Sequence, residues 1–94
     1  MTNTPRQRFL AELKPGVKFQ FHSTDAWVPK PIERTVIRVR SKDVSFSAVN
    51  DPIREAWLTY PKAPQITEPS PRVFHVYNPV MNNTLIYDFS GSPS

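Results

Sequence analysis

The sequence predicts a mainly β domain, a small antiparallel barrel or a strongly bent sheet of five to six short strands, with one short N-terminal α-helix. Three observations carry that expectation. Apolar and polar residues alternate with a period of two through much of the chain after Val17. Eleven prolines in 94 residues, more than double the usual ~5%, exclude long helices. Eleven aromatic side chains supply the bulk that so small a core needs.

The helix is expected over residues 4–14. Thr4 can cap the first amides, Pro5 suits the first helical position, and Gln7 completes a capping-box pattern. Phe9, Leu10 and Leu13 then share one face, opposite Arg6, Arg8, Glu12 and Lys14, and Pro15-Gly16 ends the helix. About ten residues cannot stay helical alone in water, so the apolar stripe must dock on the sheet.

The β-rich body spans 17–89. Val17, Phe19 and Phe21 alternate with Lys18, Gln20 and His22 as a half-buried strand. Ser23 to Pro31 is a connection, held extended at its end by Pro29 and Pro31. Residues 33–49 form the clearest hairpin. Pairing Val39 with Val44, Ile37 with Phe46 and Thr35 with Ala48 keeps apolar groups on one face. Its turn lies within Arg40-Ser41-Lys42-Asp43, and the opposite face then presents Arg34, Val36, Arg38 and Arg40 beside Ser45 and Ser47. Asn50-Asp51-Pro52 is a turn or a helix cap. Residues 53–60 fit a strand better than a helix, since Ala56, Leu58 and Tyr60 alternate with Glu55, Trp57 and Thr59. Pro61 to Pro71, with four prolines, is expected as a loop. Arg72 to Tyr77 is a strand apolar on both faces, Thr84 to Phe89 closes the body with Leu85, Tyr87 and Phe89 inward, and 90–94 is a frayed polar tail. The helix followed by Lys14-Pro15-Gly16-Val17 and short strands is compatible with an SH3-like architecture, an analogy that carries no function.

Composition narrows the chemistry. The chain has the length of one domain, 1–94, for which roughly 100–150 residues is typical. No cysteine is present, which excludes disulfides and thiolate catalysis and fits a cytoplasmic setting. Two glycines exclude a glycine-rich phosphate loop. No apolar run reaches the roughly 18 residues of a membrane span, the N-terminus lacks a signal peptide's apolar stretch, and no membrane association is expected. His22 and His75 stand apart from other ligand-type residues at metal spacing, so neither metal nor cofactor is expected. No serine has the small-residue context of a nucleophile elbow, and an enzyme is not expected.

Charge offers the main functional lead. The formal net charge is +4, and residues 1–45 carry nine basic side chains against four acidic ones. On a strand, alternate residues stand ~6.6 Å apart, so Arg34, Arg38 and Arg40 would form an exposed row able to track phosphates. Lys18, Lys30 and Lys42 would extend that nucleic-acid surface, with Trp27 or Trp57 stacking on a base or anchoring a partner. The ordinary reading is a solvated face, because two charges ~6.6 Å apart in water repel by only about 0.6 kcal/mol. Two functions therefore follow as expectations. One is a non-catalytic module that contacts nucleic acid through the basic hairpin. The other is a protein-binding inhibitor, adaptor or small subunit, of the kind phage and mobile elements encode, using sheet edges and aromatics.

Overall fold

In the computed structural model, which describes residues 4–92, seven antiparallel strands form one sheet and a single helix packs against it. Helix α1 spans Pro5–Glu12. The strands are β1 (Lys18–Ser23), β2 (Ile32–Val39), β3 (Asp43–Ala48), β4 (Asp51–Thr59), β5 (Ile66–Ser70), β6 (Val73–Asn78) and β7 (Asn83–Asp88), in the spatial order β4-β3-β2-β1-β7-β6-β5. Strands β4 and β5 are the two edges. The sheet is therefore open, and the barrel closure offered as one expectation does not form. The expected five to six strands become seven because β5 emerges from the proline-rich segment assigned to a loop, after one turn of 3-10 helix at Ala63–Gln65.

The bend follows from the aromatics. Strands β3 and β7 are separated by β2 and β1, which in a flat sheet sets them ~14 Å apart. Yet the rings of Phe46 on β3 and Tyr87 on β7 lie 5.8 Å apart, centroid to centroid. Phe19 bridges them, 5.1 Å from Phe46 and 5.6 Å from Tyr87. The sheet thus curls around a stack of rings on its concave face, each pair adding ~0.5–1.5 kcal/mol beyond area burial.

Helix α1 plugs one end of that concavity. The Thr4 hydroxyl accepts from the Gln7 amide at 3.2 Å while the Gln7 side chain accepts from the Thr4 amide at 2.9 Å, the capping box expected from the sequence. Phe9 is fully buried, edge-on to Phe74 at 5.4 Å and to Tyr87 at 5.2 Å. The helix is shorter than the expected 4–14, because Leu13 has already left helical geometry as its C-cap. Polar ties fix its outer side. Arg8 pairs with Glu68 on β5, Arg6 Nε donates to the Pro61 carbonyl, and Arg72 forms a two-pronged pair with Glu12 at 2.7 and 2.9 Å. Arg72 Nη1 also donates to the Ser92 carbonyl, within the tail expected over 90–94; 93 and 94 lie outside the described residues.

The hairpin β2–β3 departs from its expected register. Val39 faces Val44 as expected, but Val36, not Ile37, faces Phe46. A bulge between Val36 and Arg38 adds one residue to β2 and interrupts the otherwise strict alternation of side chains, so everything before Ile37 changes face. Val36 is consequently core and Arg34 points inward, while Thr35 pairs with Lys18 on the neighbouring strand. Elsewhere the expected faces hold: Phe19 and Phe21 on β1, and Leu85, Tyr87 and Phe89 at the chain's end, are buried. The segment 53–60 is strand, within β4.

Phe9→Ala removes the plug from the ring stack. The expected loss is about 3–5 kcal/mol in a urea unfolding curve, with α1 losing amide-exchange protection before the sheet does.

Candidate functional site

The end of the concave face that α1 leaves uncovered is a cleft of about 320 Å³. Phe21, Phe46 and Tyr87 form its apolar floor, Arg34 and Asn83 supply polar groups, and Trp27 stands at its mouth. Its geometry comes from local structure. Asp25 organises the β1–β2 connection by accepting from the Ser23 hydroxyl at 2.7 Å, the Trp27 amide at 3.1 Å and the Asn83 side-chain amide at 2.9 Å. These donors, Ser23 first, hold the Asp25 carboxyl below the usual carboxylate range. The bend they fix places Trp27 edge-on to Phe21 at 5.8 Å, with the indole 57% exposed.

Arg34 is the unexpected member. It is 5% exposed, and its guanidinium carbon lies 4.6 Å from the Phe21 ring centre and 5.1 Å from that of Phe46. Its Nε donates to the Ser47 carbonyl at 2.8 Å. Among the described residues no carboxylate pairs with it, and its Nη groups make no hydrogen bond. Burial pushes the guanidinium below its ordinary value, with Tyr87 opposing that, yet an arginine stays cationic at any pH the fold survives. Tyr87 is in turn pushed up by its own burial, so its phenol keeps its proton.

Asn83 is the second group that sequence reasoning missed. It is 5% exposed, and its Oδ1 is buried without a hydrogen-bond partner. Donation of Nδ2 to Asp25 fixes the amide orientation, so the unpaired atom of this cleft-lining residue is a buried acceptor. Val36 was the available signal for the first miss. An aliphatic residue in the middle of a supposedly outward arginine row marks a break in alternation. Asn83 left no such trace, because a lone asparagine opening a strand reads as turn chemistry.

The sequence-derived basic surface comes apart. Arg34 is inward, for the bulge reason given above. Arg38 remains outward, but its Nε lies 3.2 Å from both Glu55 oxygens, and Glu55 also accepts from the Ser45 hydroxyl at 2.7 Å. Arg40 pairs two-pronged with Asp43 at 2.7 Å per contact and stacks 4.0 Å from the Trp57 ring centre. Trp57 is therefore partly covered by Arg40, on the edge strand β4 where it borders the cleft. Lys18 sits exposed on the convex face of β1, Lys30 in the β1–β2 connection and Lys42 in the hairpin turn. None of these three lysines lines the cleft that Arg34 lines.

Two outcomes follow. Arg34→Met should leave stability within about 1 kcal/mol of wild type in urea, because losing the Ser47 bond is offset by removing an unpaired buried charge; a guanidinium held for structure alone would cost about 3–5 kcal/mol. The second concerns acid. Asp25, Asp43 and Glu55 titrate below their ordinary values, through hydrogen bonds from Ser23, Arg40 and Ser45 respectively. Glu68 does too, although burial alone would raise it, because the Arg72 amide and Arg8 outweigh that. A depressed folded pKa gives stability that is full above the unfolded value and lost as pH falls through the folded one. Thermal midpoints should stay level from pH 7 to 5 and fall below about pH 4, and Asp25→Asn should flatten part of that fall.

No protein-family model, curated protein or solved structure matches this chain, and the chemistry of the cleft rests on its own residues.

Proposed function

We propose that this chain is a non-catalytic binding module that receives a polypeptide partner in the cleft at the open end of the concave face. The observation that carries this reading is an apolar cleft bordered by well-exposed apolar side chains, Trp27 at 57% and Met81 at 63%. Exposed tryptophan and methionine beside a concave apolar floor are what a protein interface uses as anchors. The titratable groups present favour holding over proton transfer: Arg34 stays charged, Tyr87 stays protonated, and Asp25 is a weakened base.

Contact with nucleic acid through the hairpin has less support. Arg38 and Arg40 are already engaged by Glu55 and Asp43, so a phosphate would have to displace two internal ion pairs. The remaining lysines are dispersed over separate elements.

Peptides selected on the protein from random libraries test the proposal. The libraries are displayed in two formats, one with a free carboxyl end and one held at both ends. Whichever format yields binders, those binders should lose at least about tenfold in affinity on Trp27→Ala or Met81→Ala and be little changed by Arg38→Ala. Their affinity should shift less than about threefold between 50 and 200 mM salt. Binders insensitive to both cleft variants refute the proposal. So does oligonucleotide binding with a salt slope of about −3 that the Arg38→Ala, Arg40→Ala double variant abolishes.

A further inference from the structure

Resting on the reading of the cleft as a polypeptide site, we propose that its occupant is the carboxyl end of a partner chain, with the terminal carboxylate on Arg34 and an apolar final side chain on the aromatic floor. Two cleft-lining groups keep unused hydrogen-bonding capacity in the fold. Arg34 is a 95%-buried cation without a carboxylate partner among the described residues, and Asn83 is an equally buried amide whose Oδ1 accepts nothing. Buried polar groups are nearly always satisfied, and a lone buried charge is costlier still. Both groups stand on the wall of the same cleft. One calls for an anion and the other for an N–H or O–H donor.

The rest of the cleft narrows the anion. There is one guanidinium, and its faces are already stacked on Phe21 and Phe46, which leaves an edge for a fork-shaped acceptor. Asp25, held ionised, is on the same wall. A phosphate dianion would find one cation and one repelling carboxylate; a monoanion matches the charge. The floor of Phe21, Phe46 and Tyr87 requires an apolar group close to that monoanion. Aspartate and glutamate side chains carry none. A terminal residue bears its carboxylate and its side chain on the same carbon, and the amide N–H groups before it are donors of the kind Asn83 Oδ1 lacks. The chain would then leave the cleft across Trp27 and Met81, which explains why those residues are exposed at its mouth.

Titration of the full chain with N-acetyl-phenylalanine, N-acetyl-phenylalaninamide, 3-phenylpropionate and phenyl phosphate, followed by amide and indole resonances, tests this. N-acetyl-phenylalanine should bind at least about tenfold more tightly than its amide, the difference one charge-assisted bidentate contact makes. It should shift the Trp27 indole and the Asn83 side-chain amide. Arg34→Met, whose dispersed amide spectrum reports that it is folded, should bind acid and amide alike. Asn83→Asp, which sets a charge beside Asp25, should weaken the acid while leaving Arg34 in place. Equal affinity for acid and amide, shifts confined to the lysines, or no shift at millimolar ligand overturns the inference. Tighter binding of phenyl phosphate assigns the cleft to phosphate instead, and 3-phenylpropionate binding as tightly as N-acetyl-phenylalanine assigns it to small free acids. Library binders held at both ends that still require Trp27 and Met81 would sink the chain-end inference alone and leave the binding module standing.

Discussion

A single extra residue in β2 governs the chemistry of this fold. Strand side chains alternate strictly except at a bulge, so the extra residue Ile37 between two paired positions breaks the alternation and moves every earlier residue of the strand to the other face. On one side of the bulge Arg38 points to solvent and meets Glu55. On the other, Val36 enters the core and Arg34 is carried beneath the curled sheet onto Phe21 and Phe46. Without the bulge the concave face would have a threonine where the guanidinium stands, and the cleft would have no positive charge.

The curl that makes the cleft has a different origin. Tyr87 on β7 is within ring contact of Phe9, Phe19, Phe21 and Phe46, which come from the helix, β1 and β3. An open sheet of seven strands gains these contacts only by bending, and the helix finishes one end through Phe9. Among the described residues no second helix covers the other end. What remains there is an apolar floor with one unsatisfied buried acceptor and a buried guanidinium that has no carboxylate partner among the described residues, a combination that stability alone does not favour. The ion pairs, by contrast, are mostly exposed or half-exposed and serve to fasten segments. Arg72 and Glu12 join the β5–β6 turn to the helix, and Arg40 and Asp43 close the hairpin turn. Their energies are small, but their consequence for recognition is large, because each removes an arginine from the pool available to an outside anion.

Much of the fold was legible in the residues. The capping box at Thr4 and Gln7, the alternation of Phe19 and Phe21, the strand at 53–60 and the inward set Leu85, Tyr87 and Phe89 all depend on local spacing, and local spacing is written in the chain. So was the hairpin turn within Arg40-Ser41-Lys42-Asp43, which joins β2 to β3. The edge strand β5 was hidden, because its proline, Pro69, and those flanking it mark a loop in isolation, yet a proline is tolerated where one side of a strand has no neighbour.

By itself, then, the sequence determined a proline-punctuated, aromatic-rich β domain with a docked helix, since period, caps and composition act over a few residues. Tertiary structure alone decided that the sheet stays open, that β2 takes a bulge and that Arg34 faces inward. Each of those outcomes is set by which strands meet and how far the sheet must bend to bring Phe46 against Tyr87, separations of forty residues that no short-range pattern encodes.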